Sequence, residues 1–211
     1  MDSTLVDDIS GKNIEESLEN SQCKNWIKRL NLSNTINIQQ YNRLGYFKEV
    51  ATIVVDNEVS GPNQKKKRNT VIQFIPSIPE DEWADKNEWL YLLVVNERIV
   101  KIGGTRTGLK SRAASYLCGH HIPERGKSGD CSKTNGYIYN TFDFYLGLGC
   151  KIQMYGYKLP TIITELKILD NIVNVKPQTY HAYESAFLDD FKKHYNGYPP
   201  LSDNCDPDYK N

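Results

Sequence analysis

Five side chains in the 211-residue sequence have types and spacings that could do chemistry together: Tyr91, Lys101, Arg112, Tyr116 and Glu184. Tyr91 lies in the apolar run LYLLVV at 90–95, Lys101 lies in RIVKIG at 98–103, and Asn96-Glu97 between them reads as a tight turn. Two antiparallel strands joined there would bring Tyr91 and Lys101 near the same end of the pair, within reach of each other. Arg112 and Tyr116 stand four residues apart and share one helical face. Leu109 and Ala113 flank that face, which turns Arg112 toward the core edge. Glu184 sits three and four residues before Phe187 and Leu188 on an apolar helical stripe, with no Lys or Arg at either position. A carboxylate there has lost solvent and needs a partner or a metal ion. The plainer alternative is a first-turn glutamate favoured by the helix dipole. Taken singly, Tyr91 also fits a packed strand tyrosine, and Lys101 and Arg112 also fit surface charge.

The elements that must position these groups are legible at the same coarse level. Residues 14–30 carry Ile14, Leu18, Trp26, Ile27 and Leu30 near helical spacing. Residues 50–55 and 70–75 are rich in β-branched residues and read as a hairpin. Its tip holds Lys65, Lys66, Lys67 and Arg68. That tip is either a solvated loop that keeps a sheet edge soluble or a finger that contacts phosphates. A shift to Pro and acidic residues over 75–86 divides an N-terminal arm, residues 1–86, from a core, residues 87–211. In the core, the strands at 90–95 and 98–103 precede a helix at 108–117 that Thr107 can cap. A long polar loop covers 120–140, followed by three strands at 141–147, 152–159 and 161–168. The last element is a helix, Tyr180–Tyr195, with one apolar stripe. The expectation is an α+β fold: a small antiparallel β-sheet flanked by helices, with an N-terminal helix and β-hairpin arm.

Composition narrows the function classes. Hydrophobic residues make up 39% and charged residues 25%, enough apolar material for a packed core. No stretch approaches a membrane span, and the acidic start lacks a signal pattern, so the chain reads as soluble and intracellular, in the cytoplasm. The five cysteines, Cys23, Cys118, Cys131, Cys150 and Cys205, contain no CxxC pair and read as free thiols. Cys118, His120, His121 and Cys131 match no regular zinc-site spacing. Gly126-Lys127-Ser128 lacks the glycine that a phosphate-binding loop needs five positions earlier, where His121 stands, which argues against a nucleotide cofactor. Lys plus Arg equals Asp plus Glu at 26 each, which excludes a uniformly basic nucleic-acid coat. The balance is uneven, however: residues 98–133 hold eight cations against two anions, and the compensating acids lie in flanking stretches.

The ordered series Leu90-Tyr91-Leu92, Lys101-Ile102-Gly103-Gly104-Thr105, Leu109, Arg112 and Tyr116 resembles the core of the GIY-YIG nucleases. Glu184, followed by Pro199-Pro200-Leu201 and Asn204, resembles that family's closing motif. Trp89 and Leu90 replace the glycine and isoleucine of the first tripeptide, and Lys101 replaces the tyrosine of the second. Lysine at that place is similar to a subset of the family's type II restriction endonucleases. The resemblance implies that Tyr91 acts as general base or positions the attacking water, helped by Lys101. It implies that Arg112 grips the non-bridging phosphate oxygens and that Tyr116 hydrogen-bonds the phosphate or the nucleophile. It further implies that Glu184 holds one Mg²⁺ (or Mn²⁺) ion per site, with Asn204 in support.

The expected activity is therefore site-specific, divalent-metal-dependent cleavage of double-stranded DNA, by a homodimer if the site is palindromic. DNA contacts are expected from the 65–68 tip, from Arg106, and from a loop at 119–136 carrying His120, His121, Arg125, Lys127 and Lys133. A homing or repair nuclease, or a DNA-binding protein that kept the fold without catalysis, are the alternatives.

Overall fold

The computed structural model describes residues 35–56, 71–117 and 133–202. The expected helix at 14–30, the basic tip at 65–68, most of the 119–136 loop and Asn204 lie outside the described residues. A five-stranded antiparallel sheet forms the centre, in the order β2-β1-β5-β3-β4. Its strands are β1 (Lys48–Asp56), β2 (Val71–Pro76), β3 (Trp89–Val95), β4 (Arg98–Thr105) and β5 (Ile152–Lys158). The helices are α1 (Glu80–Trp83), α2 (Leu109–Leu117), α3 (Lys133–Gly147) and α4 (Tyr180–Tyr195). A separate two-stranded ribbon, β6 (Thr164–Ile168) and β7 (Asn171–Val175), stands between β5 and α4 in the chain. The α+β architecture with a small antiparallel sheet is as expected.

Strand β3 is buried along its whole length, so alternate side chains serve two cores. Trp89, Tyr91 and Leu93 pack with Ala113 of α2 and Phe142 of α3 on one face. Leu90, Leu92 and Val94 pack with Leu188 and Phe191 of α4 on the other. The β3–β4 hairpin turns at Asn96 (φ 44°) and Glu97 (φ 64°), the double left-handed geometry that suits the twist of a two-residue hairpin. Neither is glycine, and tertiary bonds support the turn: the Ile38 amide donates to the Glu97 carbonyl at 2.7 Å, and the Lys151 amide donates to Asn96 Oδ1 at 2.8 Å.

The structure departs from the sequence expectations at three places. Residues 141–147 are the end of α3, and the helix already begins inside the supposed 120–140 loop. Ile138, Phe142 and Tyr145 lie at helical spacing and are all buried in the core with Tyr139, a pattern the seven residues TFDFYLG alone conceal. The strand expected at 161–168 is shorter and folds back through β7, which the local pattern did not announce. Finally, β1 from the N-terminal side of residue 86 pairs directly with β5 from the C-terminal side, so one sheet runs across the expected junction.

The exposed edge of β4 is closed by two short pieces of chain. Ile36 accepts from the Ile99 amide at 3.1 Å, and the Leu201 amide donates to the Val100 carbonyl at 2.8 Å. The Ser202 hydroxyl bonds both the amide and the carbonyl of Ile102, each at 3.2 Å. Such covering removes an open ladder that could otherwise recruit another strand.

Candidate active site

Four of the five singled-out residues converge around the glycine end of β4. Register places Gly103 opposite Tyr91. A Cβ on Gly103 would lie 2.4 Å from the Tyr91 hydroxyl, so only glycine leaves the phenol its position. On the next residue a Cβ would point the other way, 2.7 Å from a Tyr180 ring carbon and 3.0 Å from Glu184 Oε2. The two consecutive glycines therefore thin the wall between the Tyr91 face and the α4 face. The tyrosine and the carboxylate approach β4 from opposite sides.

Tyr91 and Tyr116 are buried, and their hydroxyls are 2.5 Å apart. The Arg112 guanidinium carbon lies 6.0 Å from the Tyr91 ring centre and 5.7 Å from that of Tyr116, within cation–π range. Arg112 Nη2 donates to the Gly104 carbonyl at 3.1 Å, while its buried Nε has no partner. Burial opposes the Arg112 charge, yet Tyr91, Tyr116, Glu184 and Tyr180 together hold its pKa above the ordinary value. Burial raises the Tyr91 pKa, opposed by Arg112 and by a hydrogen bond from Tyr116. Tyr116 lies well above its ordinary value, again through burial first and then through Tyr91. Either hydroxyl can donate in this bond; were Tyr91 to ionise, Tyr116 would be the donor to its oxygen.

Glu184 is half-buried on α4, one turn after Tyr180. Its helix is pinned at the start by Glu88, whose buried carboxylate accepts from the Thr179 amide at 3.0 Å, the Thr179 hydroxyl at 2.9 Å and the Tyr180 amide at 3.5 Å. Among the described residues no group of three or more His, Cys, Asp or Glu forms a cation site. The donor set for a cation here is the Glu184 carboxylate beside a notch that any side chain on residue 104 would fill. This fits a hard ion that keeps several waters and takes few protein oxygens.

Lys101 lies on the expected hairpin and on the Tyr91 face. It stands opposite Leu93, two residues along from the Tyr91–Gly103 pair and on the same face. A bulge at Leu93/Val94 leaves Val100 as the extra residue on β4 and turns both Val100 and Lys101 to that face. The side chain is 7 % exposed, and its ammonium donates to the Leu201 carbonyl at 2.7 Å. Of the expected DNA-contacting residues, Arg106 is exposed just beyond β4, and Lys133 opens α3. Lys65 to Arg68, His120, His121, Arg125 and Lys127 fall outside the described residues. Sequence reasoning quoted Gly104 within the motif without giving it a role, and missed Tyr180 and Glu88. The first had a signal, since adjacent glycines at a strand end mark close approach, and the second lies one turn before Glu184.

No family model matches the sequence, and no curated protein matches it. Among solved structures, the chain is similar to restriction endonuclease HPY188I in complex with product DNA, at a TM-score of 0.50 and 20% identity. That match covers 80% of this chain and 86% of the other. A variant of bacteriophage T4 EndoII matches at 0.47 and 17% identity, over 77% of this chain and 97% of the other. The first likeness shows a shared fold. No helix among the described residues is long and apolar enough to cross a membrane.

Proposed function

We propose that the chain is a GIY-YIG-type endonuclease that hydrolyses phosphodiester bonds in double-stranded DNA, with type II, site-specific character, a divalent metal requirement and a homodimeric working form. The observation that carries this reading is the assembly of a hydrogen-bonded tyrosine pair, a partly unsatisfied arginine and a carboxylate around Gly103 and Gly104. The shared fold with a restriction endonuclease supports it.

Phosphodiester hydrolysis needs a base for water, a receptor for the non-bridging oxygens and relief of charge on the leaving oxygen. Tyr91 takes the proton of the attacking water. Tyr116 donates into the Tyr91 oxygen and so favours its anionic form, and Arg112 nearby adds positive charge. Lys101, on the same face two residues along, contributes further positive charge while fixing the turn at Leu201. Arg112 binds the phosphate through its fork, and the buried Nε gains the acceptor it lacks. Glu184 holds one Mg²⁺ or Mn²⁺ ion, which when bound neutralises charge on the phosphate and leaving group. Arg106 and the basic segments at 65–68 and 119–133 contact the DNA backbone, with Asn204 in a supporting position.

The test is cleavage of plasmid DNA with Mg²⁺ by the wild-type chain, by Glu184→Ala and by Tyr91→Phe. Nicked and linear products from the wild type alone are expected. Duplex binding without cutting under Mg²⁺ and Mn²⁺ would leave a DNA-binding protein that kept the fold. Digestion of a fully sequenced phage DNA and mapping of the ends tests site specificity and stagger.

A further inference from the structure

Two side chains of α4 meet at Gly104, and the chemistry proposed so far employs only Glu184. A Cβ on residue 104 would lie 2.7 Å from Tyr180 Cδ2, 3.0 Å from Glu184 Oε2 and 3.5 Å from the Tyr180 carbonyl oxygen. Tyr180 and Glu184 stand one turn apart and share a face of the helix. Both are half-buried. Among the described residues, neither the Tyr180 hydroxyl nor the Glu184 carboxylate makes a hydrogen bond. Tyr91 and Tyr116, by contrast, satisfy each other. Tyr180 packs at the margin of the α4 core, a task that a phenylalanine ring would perform equally well. The fold therefore leaves the Tyr180 oxygen without a purpose.

Its surroundings suggest one. Arg112 Nη2 donates to the Gly104 carbonyl at 3.1 Å, and Tyr180 is one of the four groups that support the Arg112 charge. Tyr180 and the arginine thus meet at the same glycine, one from the α4 side and one from the Tyr91 side. The backbone donors at the start of α4 are already engaged, because Glu88 accepts from the Thr179 and Tyr180 amides. An ionised Glu184 can only accept hydrogen bonds, and it repels a phosphate oxygen. On its side of the notch an anion needs a side-chain donor, and the Tyr180 phenol is one. The ring also stacks on the His181 imidazole, with centroids 3.9 Å apart and planes inclined by 33°. A ring so held gives up little rotamer freedom when its hydroxyl binds.

We infer that Tyr180 is a further catalytic residue, whose hydroxyl donates a hydrogen bond to a non-bridging oxygen of the scissile phosphate beside the Gly104 notch. Arg112 holds the same phosphate from the Tyr91 side. The inference rests on the nuclease reading above and deepens it. The phenol stays neutral and keeps its proton. It strengthens its bond as charge builds on the phosphate oxygens in the transition state.

Tyr180→Phe removes the oxygen and keeps the ring, so its urea midpoint should match the wild type. Single-turnover cleavage of duplex DNA with Mg²⁺ should fall about 10- to 100-fold, the worth of one hydrogen bond to a charged group. Tyr183→Phe, on the flank of α4 that faces Tyr157, should cut at the wild-type rate. Sulfur separates direct contact from a structural effect, because it is a poor acceptor. In duplexes with a single phosphorothioate at the mapped cleavage position, one diastereomer should slow the wild type yet slow Tyr180→Phe little further. Additive losses for both diastereomers overturn the inference. So does a lowered urea midpoint in Tyr180→Phe, which would mean that the hydroxyl serves the fold. A wild type that cuts no DNA removes the nuclease reading and the inference together. A wild type that cuts, beside an equally active Tyr180→Phe, removes the inference alone.

Discussion

The hydroxyls of Tyr91 and Tyr116 stand 2.5 Å apart in a buried pair, and the two phenols are not equivalent. Either hydroxyl can donate in this bond, and burial raises both phenols, Tyr116 well above its ordinary value. Tyr91→Phe is therefore expected to lower single-turnover cleavage by at least ~100-fold, the ordinary worth of a general base. Tyr116→Phe removes only a donor and is expected to cost less. Equal losses in the two variants, measured at saturating enzyme, would contradict Tyr91 as the proposed base.

The pH profile follows from the same pair. In the proposed mechanism the working form of Tyr91 is the phenolate, and burial holds its pKa above the ordinary 10.0. Below that pKa the active fraction grows about tenfold per pH unit, so the rate should climb from about pH 6 to about pH 9. Tyr91→Phe should flatten whatever activity remains. A wild-type rate that is flat or falls over this range would remove Tyr91 as the base.

Gly103→Ala should fail for a steric reason. Its new methyl would lie 2.4 Å from the Tyr91 hydroxyl, so the phenol or the strand must move. Overpacking of this kind costs about 1–3 kcal/mol, readable as a lower urea midpoint, and cleavage should fall with it. A variant with full activity would mean that the phenol position is immaterial.

Glu88 touches no candidate reacting group but sets where α4 begins. Glu88→Ala leaves the Thr179 and Tyr180 amides without the carboxylate they share. The expected loss is about 1–3 kcal/mol in urea unfolding, with a higher Mg²⁺ requirement for cleavage as Glu184 shifts. Glu88→Gln, which keeps one acceptor oxygen, should recover part of both. An unchanged Mg²⁺ requirement in Glu88→Ala would reduce Glu88 to a purely structural cap.

The parts of this molecule legible in the sequence are those whose pattern is local. The β3–β4 hairpin announced itself through two apolar runs around Asn96-Glu97, and α4 through a stripe that holds over four turns. The end of α3 did not, because TFDFYLG satisfies a two-residue and a helical period equally, and only packing against the sheet decides between them. Arg112 and Tyr116 could be paired by helical spacing alone. The approach of Glu184 to Gly104 joins residues 80 positions apart, and no periodicity reports it. Lys101 shows the limit from the other side: the hairpin was right, but a one-residue bulge and a bond to Leu201 set where its ammonium rests.

The thinned wall at Gly103 and Gly104 means that the tyrosine half and the carboxylate half of the site are anchored in different hydrophobic layers. Tyr91 and Tyr116 are held with Ala113 and Phe142, whereas the Glu184 helix is held through Leu188 and Phe191. Strand β4 is the seam between them. Laboratory selection for a different metal preference should accordingly draw its changes from the Leu188–Phe191 layer and spare the phenols. Selection for a different working pH should do the reverse, making proton handling and ion choice separately evolvable traits.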